Sequence, residues 1–379
     1  MAFVALVGVG VVQSVGSAST QLDVRTLTVR QAAGPVEGLF VGAGRVEGAR
    51  SAALVATASS PLSGWIAPVA VPTADGGQLV YSTWRELRHE DPKLSWSKQG
   101  IHPGEALGEP TLWIHDFGSG RDTKIDTNSF SAAVRADGAI AYVRGTDLYR
   151  AARNYTGDIV VRSSVSAQPV VWSTDPAEYV AAAWAGNTLL AYRIGEGEQL
   201  DVLALDGPRK QRLLMANANL VAVSPDGTQA FLANEATSPG SVSVVNVADG
   251  TIAETLDLGS LDQGILWSAY GGSWSGDLVA APTNAGIAVF DVADGAISLE
   301  ELLKDDPGTL ADGVIEPQFS GDSEHIVARG DAAPGTDDST TALECDLATA
   351  TCLAGTTAPG SAWLHPAYNP SRPMEGDAP

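Results

Sequence analysis

The clearest pattern of apolar and polar positions lies between residues 218 and 258. LVAVS reads as a strand, Pro225-Asp226-Gly227 as a tight turn, and TQAFLAN as a second strand. After a polar loop come SVSVVNV, the turn Ala248-Asp249-Gly250, and TIAETLDL. This predicts four short strands with Asp-Gly turns at the first and third connections. Asp-Gly supplies the positive φ that two-residue hairpin turns require. The same order recurs, with first turns at Asp75-Gly76, Asp137-Gly138, Gly186-Asn187, Gly276-Asp277 and Gly321-Asp322. Most of these turns lie 40–50 residues apart, and the longer interval from 75 to 137 holds an insertion. Helical periodicity is almost absent.

Short strands repeating in fours at this spacing predict an all-β chain of four-stranded antiparallel sheets arranged radially, a β-propeller. A β-sandwich would not repeat as four-strand units. The tail GSAWLHPAYNP reads as a first strand without the rest of its sheet, and the head holds spare strand-like pieces, LDVRTLTV, EGLFVGAG and SAALVATA. Head and tail together are expected to complete one blade. That gives seven blades, with six as the alternative, in a single domain over residues 22–370 followed by a disordered tail at 371–379. The SPDG turn, the VVNVADG hairpin and the repeat spacing resemble the WD-like, TolB-like and YVTN β-propeller repeats of bacterial envelope and secreted proteins, across most of residues 60–357. The Trp-Asp ending of typical WD repeats is missing. The resemblance implies the fold. It also implies binding, because that superfamily includes interaction scaffolds, although it includes enzymes as well.

The ends of the chain bear on its compartment. AFVALVGVGVV at residues 2–12 is apolar and uncharged, and small polar residues follow it. It is short and glycine-rich for a membrane span, which needs about 20 apolar residues. The shape is that of a secretory leader over residues 1–19, with Gly16-Ser17-Ala18 as a cleavage site, although no basic residue precedes Arg25. A buried strand is the other reading. Cys345 and Cys352 flank a short turn near Ala348-Thr349, and a hairpin there sets them opposite each other, where a disulfide can form. Two reduced thiols are the alternative. A leader and a disulfide together point to a secreted or cell-envelope location.

Charge changes the picture in two ways. With 22 basic residues against 45 acidic ones the net charge is −23, which argues against nucleic acid as a partner. The imbalance is also lopsided. Over residues 213–379, Lys304, Arg329 and Arg372 stand against 24 acids, net −21. On a propeller this becomes an acidic sector of a disc. Several of its acids, Asp226, Asp249, Asp277, Asp294 and Asp322, fall where turn formers are expected rather than ligands.

Candidate chemistry concentrates in the insertion, WRELRHEDPKLSWSKQGIHPGEALGEP at residues 84–110. It carries Trp84, Arg85, Arg88, His89, Trp96, Lys98 and His102, a basic and aromatic cluster on a predicted long loop. Long loops on rigid scaffolds often bind, and Trp and Arg are frequent hot spots. A solvated excursion covering a blade edge is the alternative. His89, Glu90, Asp91, His102 and His115 match no recognised metal-site spacing, so no metal and no cofactor is expected. The loop GDAAPGTDDST at 330–340 reads as a flexible acidic segment. Recurring aromatics, among them Trp65, Phe130, Trp172, Trp184, Trp267, Trp274, Phe319 and Trp363, read as packing between blades. G-x-S-x-G, H-E-x-x-H and P-loop motifs are absent. Glu300-Glu301 and Asp305-Asp306 read as solvated carboxylates. The sequence therefore points to a monomeric, non-catalytic scaffold outside the cytoplasm, binding a protein or an envelope component, with no stable membrane span. The alternative is a propeller hydrolase, lyase or lactonase with carboxylates or a cation in the central channel.

Overall fold

The computed structural model describes residues 23–31, 39–42, 45–48, 54–56, 65–73, 77–84, 111–116, 118–145, 156–195, 200–234, 240–258, 272–283, 286–293, 296–305, 314–319, 324–330, 341–356 and 361–364. Among them every extended element is a strand. β1 (Asp23–Gln31), β2 (Leu39–Gly42), β3 (Arg45–Gly48) and β4 (Leu54–Ala56) open the chain. β5 (Trp65–Pro72), β6 (Gln78–Trp84), β7 (Thr111–Asp116) and β8 (Arg121–Thr127) form the first consecutive sheet. β9 (Ser129–Val134), β10 (Ile140–Gly145), β11 (Thr156–Arg162) and the two-residue β12 (Val170–Val171) follow, then β13 (Ala177–Ala185), β14 (Thr188–Ile194), β15 (Leu200–Gly207) and β16 (Lys210–Met215). β17 (Ala218–Val223), β18 (Gln229–Asn234), β19 (Ser241–Asn246) and β20 (Ile252–Asp257) make an isolated four-stranded sheet. β21 (Ser273–Ser275), β22 (Leu278–Thr283), β23 (Gly286–Asp291) and β24 (Ser298–Asp305) form the next unit. β25 (Val314–Phe319), β26 (His325–Gly330), β27 (Thr341–Asp346) and β28 (Thr351–Thr356) follow, and β29 (Ser361–Leu364) comes last.

Within each unit the strands pair antiparallel in chain order. The first strands touch one another in succession, β5 to β9, β9 to β13, β13 to β17, β17 to β21 and β21 to β25, so they form the inner side of the array. The turns obey the chemistry read from the sequence. Asp226 accepts from the Thr228 amide at 3.0 Å and from the Ser224 hydroxyl at 2.7 Å, and Asp249 accepts from the Thr251 amide and hydroxyl. Gly227 has φ +71°, and a Cβ there would lie 2.5 Å from the Gly186 backbone nitrogen. Successive first turns thus pack against each other, which only glycine permits at that point.

The inner strands carry β-bulges, at Ser131 in β9, Ala182 in β13 and Val221 in β17. A bulge leaves backbone groups outside the ladder. Neighbouring sheets supply the missing partners. The Ser131 hydroxyl accepts from the Ala181 amide at 3.0 Å and the Tyr192 hydroxyl accepts from the Leu220 amide at 2.7 Å. The Ser273 hydroxyl accepts from the Phe319 amide at 2.8 Å. Buried amides left unpaired would each cost about 1–3 kcal/mol. Apolar side chains fill the rest of the gaps between sheets. Trp172 and Trp184 meet edge to face at 5.6 Å, and Phe231 meets Phe290 at 5.2 Å and Trp274 at 6.3 Å. Phe130 packs in the same cluster as Trp172 and Trp184, and Phe319 lies in another, as expected for aromatics between blades. Trp267 lies outside the described residues.

The two ends of the chain behave differently from each other. β29 pairs antiparallel with β2, and β3 and β4 continue outward, so tail and head share one sheet, as the spare strand-like pieces predict. LDVRTLTV does not join that sheet. It forms β1, which runs parallel to β24 over Asp23–Leu27 and parallel to β28 over Thr28–Gln31. This joins two units through their outer edges. One consequence corrects the sequence reading: Glu301 is half-buried rather than solvated, because β1 lies along the edge that was expected to face water. Cys345 and Cys352 are directly opposite in the β27–β28 hairpin, are fully buried, and form a disulfide with Cα atoms 3.9 Å apart. No described helix is long and apolar enough to cross a membrane.

Candidate functional site

The insertion leaves β6 at Trp84, which pairs with Trp65, and returns at Thr111, the first residue of β7. Arg85, Arg88, His89, Trp96, Lys98 and His102 lie outside the described residues, as does the loop at 331–340. What the structure does describe is the floor beside that return point. Asp126 on β8 pairs in register with Leu112, next to Thr111. A bulge at Ile125 lets both Ile125 and Asp126 address the neighbouring sheet, where Ile125 joins the apolar cluster around Tyr142.

Asp126 gathers a polar cluster there. Its Oδ2 accepts from the Tyr142 hydroxyl at 2.7 Å and from Arg144 Nη2 at 2.6 Å. Arg162 Nε donates to the Tyr142 oxygen at 2.9 Å, and Arg162 Nη1 donates to the Ala167 carbonyl at 2.7 Å. Burial opposes the charge on Asp126, yet the hydrogen bonds from Tyr142 and Arg144 outweigh it and hold the carboxyl below its ordinary range. Burial is also the main reason that the Tyr142 hydroxyl is pushed up. Two guanidiniums face one carboxylate, so the cluster carries net positive charge in an acidic protein. The Arg144 side chain is 36% exposed and the Arg162 side chain 13%. The arrangement suits an anionic group such as a carboxylate or phosphate. It suits proton abstraction badly, since a carboxyl held low in pKa is a weak base near neutrality.

Sequence reasoning missed these four residues. The available signal was the pair Tyr142 and Arg144, two apart on one side of a strand that is otherwise apolar. A second cluster is entirely interior. The Tyr81 hydroxyl donates to Asp122 Oδ1 at 2.7 Å, and His115 Nδ1 lies 3.0 Å from the same oxygen. The His115 and Asp122 side chains have no exposed surface, so this group fastens β6, β7 and β8 together. His115 is on a strand, as expected. Among the described residues no group of three or more His, Cys, Asp or Glu is placed to hold a metal ion.

The four inner strands whose side chains are described, β9, β13, β17 and β21, are mainly alanine, valine and serine. Among Asp, Glu, His and Asn they hold only Glu178 and Asn219. Strands ordered outward in each unit, with first strands touching around the inside, define the architecture. In fold, the chain is a β-propeller. Solved structures similar to the chain share little of its sequence. A prolyl endopeptidase superposes with TM-score 0.53 at 13% identity, covering 85% of this chain and 47% of its own. The β-propeller domain of the trilobed protease from Pyrococcus furiosus, described as having an open velcro topology, gives 0.48 at 12% identity over 79% of this chain and 86% of its own. TolB from Acinetobacter baumannii gives 0.45 at 13% identity over 86% of this chain and 66% of its own. The propeller thus spans about half the length of the endopeptidase and just under two thirds of TolB. No family model matches the propeller, and no curated protein matches it.

Proposed function

We propose that this propeller is a non-catalytic scaffold that binds a protein or cell-envelope component outside the cytoplasm. In this reading residues 1–19 are a leader, residues 22–370 are one seven-bladed domain acting as a monomer, and 371–379 are a disordered tail. The composite sheet of β29 with β2, β3 and β4 is its closing blade. Contacts of β29 and β2 with β5 support that closure from one side. The buried disulfide supports an oxidising compartment. Binding is assigned to Trp84, Arg85, Arg88, His89, Trp96, Lys98 and His102.

The observation that carries the binding reading over channel chemistry is the use of the inner hydroxyls. Ser131 and Ser273 are committed to backbone amides of the neighbouring sheets, and the remaining inner positions are mostly alanine and valine. The test is capture from an envelope extract by the full chain and by the triple variant Arg85→Glu, Arg88→Glu, Trp96→Ala. The expected result is loss of the captured component with unchanged thermal unfolding. Equal capture by both proteins would remove the insertion from the binding surface.

A further inference from the structure

Three arginines among the described residues each meet a carboxylate of their own: Arg135 with Asp137, Arg193 with Asp201 and Arg212 with Asp206. Asp126 departs from this. Arg144 Nη2 and Arg162 Nη2 both meet its Oδ2, at 2.6 and 3.5 Å. One carboxylate cannot balance two guanidiniums, so one positive charge is left over.

The surplus falls on Arg144. Arg162 is engaged on every side: Nε donates to the Tyr142 oxygen, Nη1 to the Ala167 carbonyl, and Nη2 lies toward Asp126. Its side chain is only 13% exposed. The Arg144 side chain is 36% exposed and meets Asp126 through one edge, with Nε at 3.1 Å and Nη2 at 2.6 Å. Arg144 Nη1 donates to no described residue. A guanidinium carries five N–H donors in a planar fork, so the edge that bears Nη1 is open to a second planar acceptor. That edge is fixed in advance, because Asp126 is itself held by the hydroxyl of the fully buried Tyr142. A donor ordered before its ligand arrives loses less freedom on binding.

One more carboxylate bears on the site. Asp158 stands opposite Arg144 in the β10–β11 ladder. It accepts from the Ser173 hydroxyl at 2.9 Å and forms no ion pair with Arg144. Its charge still weakens the local field, as does the net −23 of the chain. The site therefore matches one negative charge and penalises two.

We propose that Arg144 is the recognition residue of a site for a singly charged carboxylate, received end-on by the guanidinium edge that Asp126 leaves free. The site lies where β7 begins and β10 ends, near Thr111 and Gly145. The carboxylate belongs to a small organic acid or to a Glu, an Asp or the C-terminus of a polypeptide. Arg85, Arg88 and Trp96 take no part in it, so it stands or falls separately from the insertion.

The test follows the arginine Nε–H and Gly145 amide resonances of the full chain by NMR at constant ionic strength. The probes are acetate, an end-capped Ala-Ala-Glu-Ala-Ala peptide, and phosphate at pH 8, where it is a dianion. The expected results are saturable shifts at Arg144 with acetate and with the peptide, and at least fivefold weaker binding of phosphate. Tighter binding of the peptide than of acetate assigns the site to a polypeptide, and the reverse to a free acid; either supports it. Arg144→Lys keeps the charge without the fork and is expected to bind acetate at least fivefold more weakly, read at Gly145. Arg144→Gln is expected to show no saturable shift there. Both variants leave Asp126 with Tyr142 and Arg162, and thermal unfolding checks that they remain folded. No saturable shift in the wild type, undiminished binding by Arg144→Gln, or phosphate binding as tight as acetate would each overturn the proposal.

Discussion

The propeller has two kinds of rim. The sector from β21 to β28 is strapped: β1 lies along β24 and then along β28, and the β27–β28 hairpin is closed by the Cys345–Cys352 disulfide. The sector from β5 to β20 has bare rims: among the described residues no strand lies along the outside of β8, β16 or β20, and β8 and β20 show mostly exposed side chains. A sheet must bury its apolar face against another element, so each sector is held by what packs against or pairs with its sheets. The bare sector is held from within, by Tyr192 capping Leu220, by the Trp172–Trp184 contact and by the apolar clusters between sheets. The strapped sector adds covalent and strand-pairing ties at its outside. Inner packing thus serves both sectors, and the strap is an addition to it in one of them.

The sharpest way to break this comparison is at the boundary of the sectors. Phe231 is fully buried against Phe290 and Trp274. Phe231→Ala is expected to cost about 3–5 kcal/mol, from lost transfer energy and the cavity left behind. Urea unfolding followed by tryptophan fluorescence reads this directly. Next in size is Cys345→Ala, Cys352→Ala. Releasing so short a loop is expected to cost about 2–3 kcal/mol. Amide exchange should quicken in β1, β27 and β28 and stay unchanged in β17–β20. If the cysteine variant proved costlier than Phe231→Ala, or loosened β20 as much as β28, the rims would not be the separate ties described here.

Much of this construction is legible in the sequence, because turns are local. Asp226-Gly227 and Asp249-Gly250 fix hairpins through their own side chains and φ angles, so repeat spacing and strand order follow. The register of Cys345 with Cys352 follows from one short turn in the same way. β1 is different. Its residues alternate like any strand, and nothing near it in sequence says which edge it will meet, because a parallel partner hundreds of residues away leaves no turn signal. The inner hydroxyl caps are equally silent: Ser131 and Ser273 look like ordinary polar breaks in apolar runs until the neighbouring backbone is in place. Among the candidate site residues, Trp84 is placed at the end of β6, and the others fall outside the described residues. The floor of that face, Asp126 with Arg144 and Arg162, joins two sheets and was not readable from spacing.

The smallest expected effect separates two turns within the bare sector. In the bare sector Asp137 accepts two bonds from Arg135, at 2.8 and 2.7 Å, while Arg135 also lies over the Trp184 ring and donates to Asn187. The Arg135 hydrogen bonds, above all, lower the Asp137 pKa to about 2. At the other end of the same sector, between β19 and β20, Asp249 is lowered through the Thr251 hydroxyl first and then its amide. A carboxyl depressed on folding contributes stability above its unfolded pKa, roughly 3.9, and that contribution fades as pH falls through the folded value. The window for Asp137 therefore runs from about pH 4 down to about pH 2. Its side chain is 60% exposed, so solvent screening keeps the contribution under about 1 kcal/mol. Urea unfolding of Asp137→Asn and wild type across that window should show a shallower acid loss in the variant, as the wild type sheds the pairing with Arg135. Parallel curves over the whole window would mean that Arg135 is held by Trp184 and Asn187 alone and that the Asp137 pair adds nothing to the bare sector.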